Sequence, residues 1–555
     1  MDQPALSSDS VLETLLKTNR PPTDQETAII RESMAPTNAK LKVVESRISD
    51  TMAHIQALKS QVKQAETKLQ RLREEEAAIL ETFADHRRVL SPFRNLPDDV
   101  LLEICSACVE GEIPTLSFNV TPLPYTLAQI SSGMRHIVLE TPSIWASVNI
   151  RTNLSSIGVR EFSTDIQTYS ILAAKAIEWI ERAGGMSLTV YMQDPGFPYS
   201  SLQDAERVDP SCILFDALLR YSARWEMMQF ESNCVDSPSA PLLRIAALTA
   251  ADVPLLKSFS LRFHYGAAQF RNSILLAIPT LKRFKLVSDW NEFYYAVNVV
   301  ISDFTVNWAV LTSITLHTNF YYVNSVVAIA AMLRQTKCLV FCDITVFPEV
   351  EGLDPATEIN LPCLEVLRVA ENMSGSPSIF DLINAPALAV LKIPKSFNKR
   401  SSLSNFLKRT PNIQELSFSH SNTEESLTDI SELLCHCPSL SAISLQAREW
   451  PNVEQPFDAN RFLRAFVDDG GAAVICPHLQ YFELAGKITF SLQTLRQFLQ
   501  AKHRAIIPPP NGLFPWKCVV IDISGITEPE THQQMLDLVS QQQADGTLYS
   551  CMLKE

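Results

Sequence analysis

Two cysteine groupings are the residues whose types and spacing could most readily do chemistry. Cys105 and Cys108 form a C-x-x-C pair, the spacing of a dithiol redox centre or of half a zinc site. No second pair follows at zinc spacing, and both thiols fall in an apolar stretch that reads as helix, where cysteine packs as a small hydrophobe. Cys435-His436-Cys437 sets three metal-binding side chains in a row. Neighbours one apart at a helix-to-strand junction point in different directions, so a shared metal would need ligands from elsewhere. Gly184-Gly185 and Gly470-Gly471 read as turns, and Glu74-Glu75-Glu76 as a solvated helix face with one intrusion into an apolar seam.

The signatures of common enzymes are missing. The 15 glycines contain no G-x-G pair and no two lie four apart, which removes the dinucleotide fingerprint and the G-x-S-x-G elbow. Gly486-Lys487 has Tyr481 where a phosphate loop needs its first glycine. None of the 10 histidines has another four positions away, so H-E-x-x-H zinc chemistry is absent. We therefore expect no catalytic residue, no metal site and no cofactor. With 47 basic against 61 acidic residues and a net charge of −14, a nucleic-acid partner is not expected either. Met1–Ser10 has no apolar core of a signal peptide, and the longest apolar run, around Val323–Leu333, is too short to span a bilayer. The 12 scattered cysteines suit reduced thiols, so the expected setting is cytoplasm or nucleus, away from membranes.

The elements that would position any binding residues come in sequence blocks. Residues 1–39 read as a mobile leader with a short helix at Val11–Lys17. Residues 40–90 read as one coiled-coil helix: Leu41, Val44, Ile48, Ile55, Leu58, Val62, Ala65, Leu69, Leu72, Ile79 and Phe83 keep an a/d stripe that only Thr51 and Glu76 break. Such a seam needs a partner helix, from a second chain or from the rest of this one. Parallel pairing of two copies would set Lys68 against Arg73, a like-charge contact. Ser91-Pro92 ends the rod, and residues 91–150 read as a compact helical segment, with one helix from the Leu96-Pro97-Asp98-Asp99 start and a second over Thr126–Leu139. Residues 151–240 are irregular, a linker or the first repeats, with Trp225–Phe230 as a further strand.

Residues 241–505 then repeat. Units of the form L-x-x-L-x-L begin at Leu256, Leu281, Leu311, Leu339, Leu364, Leu388, Ile413, Leu440 and Leu479. Seven of the nine carry proline two residues earlier: Pro254, Pro279, Pro362, Pro386, Pro411, Pro438 and Pro477. Helical stretches such as Ile379–Ile383, Leu403–Leu407, Leu427–Leu434 and Leu492–Leu499 lie between the strands. One strand and one helix per roughly 25 residues is the pattern of a leucine-rich-repeat solenoid. Residues 506–555 read as a C-terminal strand and helix cap with a tail. The fold class is thus α/β: a coiled-coil helix, a small all-α segment, then a curved parallel sheet with helices on its convex side.

Ser91–Ile104, Leu127–Val138 and Glu140–Val148, with the Leu96-Pro97 opening and the Thr141-Pro142-Ser143-Ile144-Trp145 close, resemble the F-box. The order coiled coil, F-box, leucine-rich repeats resembles the large F-box families of mushroom-forming fungi. Where that family has a polar residue followed by Trp, this chain has Gly133-Met134. The resemblance implies a non-catalytic substrate receptor of an SCF-type cullin–RING ubiquitin ligase, the F-box binding the Skp adaptor and the repeats binding the substrate protein. It points to Leu96, Pro97, Val100, Leu101, Ile104, Ile130, Met134, Ile137 and Trp145 as adaptor-facing, with Leu101 and Ile137 expected to serve the segment's own core. A leucine-rich-repeat scaffold with no ligase role, and an enzyme within residues 151–240, stay open as alternatives.

In each unit the first, fourth and sixth positions should face the core, and the third, fifth and seventh the concave surface. That places Arg262, Arg283, Lys285, Arg368 and Lys392 on the concave face, with Asp343 the only acid of the first six units and Glu415, Tyr481 and Glu483 in the last three. Clustered cations there suit an acidic or phosphorylated segment of a substrate protein.

Overall fold

The computed structural model describes residues 8–18, 20–90, 96–117, 120–151, 166–194, 211–232, 240–263, 273–288, 304–318, 325–347, 358–371, 378–394, 400–420, 424–447, 456–467, 475–502, 514–526, 528–544 and 551–554. They divide into two compact units, Met1–Pro97 and Asp98–Glu555.

The first unit is helical. α1 spans Ser8–Thr18 and α2 spans Asp24–Val89, 66 residues in one helix. The start of α2 is written in Thr23 and Glu26: the Thr23 hydroxyl accepts from the Glu26 N–H, and the Glu26 carboxylate accepts from the Thr23 N–H at 2.9 Å. Arg20 donates to the same carboxylate and, with those Thr23 bonds, holds Glu26 far below the usual range, at about 2. The leader expected over 1–39 is therefore helical at Ser8–Thr18 and again from Asp24, and α2 runs straight through Pro36. α1 contacts α2, burying Val11 and half-burying Ile29 and Ile30, which supports the helix on the upstream side of the proline. Downstream the a/d stripe is bare. Leu41, Val44, Ile48, Ile55, Leu58, Val62, Leu69, Leu72, Ile79 and Phe83 are all between 46% and 61% exposed.

The second unit opens with α3 (Asp98–Glu110), β1 (Thr115–Leu116), α4 (Leu123–Ile130), α5 (Ser132–Glu140), α6 (Pro142–Trp145) and β2 (Ser147–Arg151). α3 begins at Asp98 and Asp99, two acids at the positive end of the helix dipole. The single helix expected over Thr126–Leu139 is two helices. Ser131 is extended (φ −150°) and its hydroxyl accepts from the Met134 N–H at 3.1 Å, capping α5. Gly133 lets α3 pack close on α5, since a Cβ there would stand 3.1 Å from the Leu101 side chain.

Among the described residues, β1 and β2 are also the first two strands of a fifteen-stranded parallel sheet whose strands stand in chain order. α7 (Ile166–Arg182), β3 (Leu188–Asp194) and β4 (Trp225–Ser232) continue it through the stretch expected to be irregular. β5 (Ser258–Phe263), β6 (Arg283–Ser288), β7 (Ser313–Thr318) and β8 (Phe341–Val346) follow, and the sheet closes on Cys518–Asp522 and Cys551–Lys554. The solenoid is thus longer at both ends than residues 241–505, and the helical segment at its start is not wholly α but feeds the sheet.

The repeat frame holds position by position. The first apolar residue of every unit, from Leu256 to Leu479, is at most 1% exposed. The prolines explain themselves as turns: in the unit at Leu256 the N–H returns to the Val253 carbonyl at 3.2 Å, and at Leu440 it returns to Cys437 at 3.2 Å. Proline at the second position of such a turn arrives with its φ already set. Helices cover the face that carries the core positions; Phe482 on Tyr481–Ala485 meets Phe498 on the helix Leu492–Gln500 with ring centroids 4.9 Å apart.

Candidate functional site

Two surfaces of the second unit carry the residues singled out in the sequence, except Leu96 and Pro97, which end the first unit. The first is the helical cap. Trp145 is fully buried in it: its indole N–H donates to the Val138 carbonyl at 2.7 Å, and its ring lies edge-on to Trp179 at 4.7 Å and to Tyr125 at 5.3 Å. Trp179 on α7 in turn donates to the Trp145 carbonyl at 2.9 Å, and the Arg182 guanidinium lies 4.7 Å above the Trp145 ring. Trp145 therefore knits the cap to the first repeat helix and is not an adaptor-facing side chain. Met134, 1% exposed, is core as well, and so is Leu101 at 4%. Leu96, Ile104 and Ile137 are half-buried. Of the nine candidates, Pro97, Val100 and Ile130 are exposed, Ile130 at 58%. Leu102 and Leu139, unmarked in the sequence, are exposed beside them in chain order. Ser91–Asn95, part of the resemblance, lies outside the described residues.

The second surface is the open face of the sheet. The strand registers align its side chains in rungs. One rung runs Met227, Ser258, Arg283, Ser313; the next runs Gln229, Ser260, Lys285, Thr315, Asp343, Arg368, Lys392. All five predicted cations stand on this face. Three of them meet acids there: Arg262 reaches Glu231 at 3.7 Å, Arg368 reaches Asp343 at 3.8 Å and Lys392 reaches Glu415 at 2.7 Å. Glu226 and Glu231 come from β4, outside the nine units, so the sequence frame undercounted the acids. Glu226 bonds Ser187 and Lys257, and these two hydrogen bonds pull its carboxyl below the usual range. Arg283 and Lys285 sit side by side, flanked on neighbouring strands by Ser258, Ser260, Ser313 and Thr315. What this pair can do is hold an anion: two cations with four hydroxyls beside them.

Two features escaped the sequence reading. His317 bridges Asp343 (3.0 Å) and the Thr345 hydroxyl (3.0 Å), tying β7 to β8 on the open face. The signal was only the register, which no motif carries. Lys502 is 3% exposed, and its ammonium donates to the carbonyls of Cys476 (2.8 Å), Leu479 (2.9 Å) and Pro477 (3.3 Å) while lying 4.7 Å from the Trp516 ring. Burial pulls its pKa down to about 7. The cysteines sort by packing: Cys105 is buried and Cys108 exposed, while Cys437 and Cys476 are buried and burial pushes both thiols up to about 12. Among the described residues no group of three or more His, Cys, Asp or Glu is placed to hold a metal ion, and no helix is long and apolar enough to cross a membrane.

No family model matches the chain, and no curated protein matches it. Among solved structures it is similar to the mouse RP105/MD-1 complex, at 11% identity over 73% of this chain and 74% of that one, with a TM-score of 0.27. The second unit is a leucine-rich-repeat solenoid, as its parallel sheet in chain order and its repeating buried positions show.

Proposed function

We propose that the chain is a non-catalytic substrate receptor of an SCF-type cullin–RING ubiquitin ligase. In this reading the helical cap docks the Skp adaptor and the open sheet face holds a substrate protein. The observation that carries it is the cap: a segment resembling the F-box, built into the edge of the sheet by Trp145 and Trp179, with Val100, Leu102, Ile130 and Leu139 left exposed. Apolar side chains left over on a small helical segment suit a helical partner. Ubiquitin transfer would then need no catalytic residue here, because holding a substrate lysine beside a charged conjugating enzyme raises its effective concentration.

The test is a pull-down of the full chain with the Skp adaptor at low salt. The parent should retain the adaptor, and Val100→Asp with Ile130→Asp should lose it while keeping the parent's circular dichroism and melting transition. Failure of the parent to retain the adaptor would leave a leucine-rich-repeat scaffold without a ligase role.

A further inference from the structure

The apolar stripe on α2 is exposed from Leu41 to Phe83, and its interruptions say what covers it. Thr51 and Glu76 are the two polar residues in an otherwise apolar seam. A parallel pair of copies sets Glu76 against Glu76 in one layer and Lys68 against Arg73 on the flank. An antiparallel pair has one register in which the two interruptions fall opposite each other. The same register places Leu58 opposite Leu69, Ile55 opposite Leu72, Ile48 opposite Ile79, Val44 opposite Phe83 and Val62 opposite Ala65. Every layer from Val44 to Phe83 is then either wholly apolar or the Thr51–Glu76 layer. Shifting the register by one heptad either way sets Glu76 against Val44 or Leu58, a carboxylate against an apolar side chain.

The flanks agree. In antiparallel pairs, residues next to the seam face their own kind across it. This register joins Lys59 to Glu66 and His54 to Glu75, each twice by symmetry, and joins no two like charges between Val44 and Phe83. Ile55, Leu58, Lys59, Val62, Lys63 and Glu66 line one hollow on the helix surface. In this register the second copy's Leu69 is the side chain that enters it. Pro36 falls just beyond the overlap, which spans residues 38–89 or about 78 Å at helical rise. Upstream of Pro36 some apolar side chains are covered within the chain, Val11 on α1 at 3% exposed and Ile29 and Ile30 half-buried, while Leu12, Leu16 and Met34 are exposed.

We propose that two copies of this chain pair through α2 as an antiparallel coiled coil with Thr51 opposite Glu76. The proposal is independent of the receptor reading and survives its failure.

Light scattering on the full chain should give twice the 62.0 kDa of one chain. α2 contains no cysteine, so a mixture of Thr51→Cys and Glu76→Cys chains can be treated with a short bis-maleimide and the linked peptides mapped. Residue 51 should link to residue 76, and Glu76→Cys alone should not link to itself through that position. Lys59→Glu should weaken the dimer roughly tenfold, Glu66→Lys likewise, and the double exchange should restore it to within about threefold of the parent. A mass of one chain, a Glu76→Cys self-link, or no rescue by the double exchange would each overturn the arrangement.

Discussion

At the scale of single residues, the cap depends on Trp145 and the last repeats on Lys502. Truncating Trp145 removes a fully buried indole, its hydrogen bond to Val138 and its packing on Trp179 and Arg182. Trp145→Ala should cost about 3–5 kcal/mol in a urea titration; a loss below about 1 kcal/mol would mean that the ring is not the cap's anchor. Trp145 was legible as important in the sequence but not as buried, because the Trp179 that covers it lies beyond an unremarkable stretch of chain. Lys502 carried no signal at all: its three carbonyl partners are backbone groups. With a pKa near 7 in the fold and about 10.4 unfolded, it is protonated in both states below pH 7, where the cost of burying the charge is full. Between the two values the unfolded chain binds more protons, so stability rises with pH. The stability of the parent relative to Lys502→Met should therefore climb from about pH 7 to about pH 10. A difference that stays flat would contradict the account of this lysine.

At the scale of elements, the strands were the most legible part and the cap the least. Apolar positions at fixed offsets, announced by a proline turn, had to face a core, and all nine first positions do. The strands β1 to β3 lack that proline two residues ahead, so the array looked shorter than it is. The break at Ser131 was hidden because the apolar pattern runs on across it; only the hydroxyl's bond to Met134 marks the second helix. On the open face the five cations were placed correctly, yet their charge was misjudged because β4 supplies Glu226 and Glu231. The pair proposed to receive a partner is Arg283 and Lys285, with the Glu226 carboxylate close enough to Arg283 to feel its charge. Reversing both to Glu should reduce recovery of acidic or phosphorylated partner proteins by roughly tenfold or more at physiological salt, with adaptor retention unchanged. Equal recovery by parent and variant would remove this face as the receiving surface.

At the scale of the whole molecule, one unit carries an exposed apolar seam and the other a helical cap and a long parallel sheet, which we propose serve pairing, adaptor docking and substrate capture. The apolar stripe could be read from the sequence over residues 40–90, while the start of its helix at Asp24 could not, because the a/d repeat begins only at Leu41 and the capping pair Thr23–Glu26 lies upstream of it. The function rests on the cap. The most direct measurement is calorimetric titration of purified Skp adaptor into the full chain, with the Val100→Asp and Ile130→Asp double variant beside it. The parent should bind one adaptor per chain with a Kd below about 1 µM, and the folded variant should give no measurable heat. Absence of binding by the parent, or equal binding by the folded variant, would contradict the receptor function.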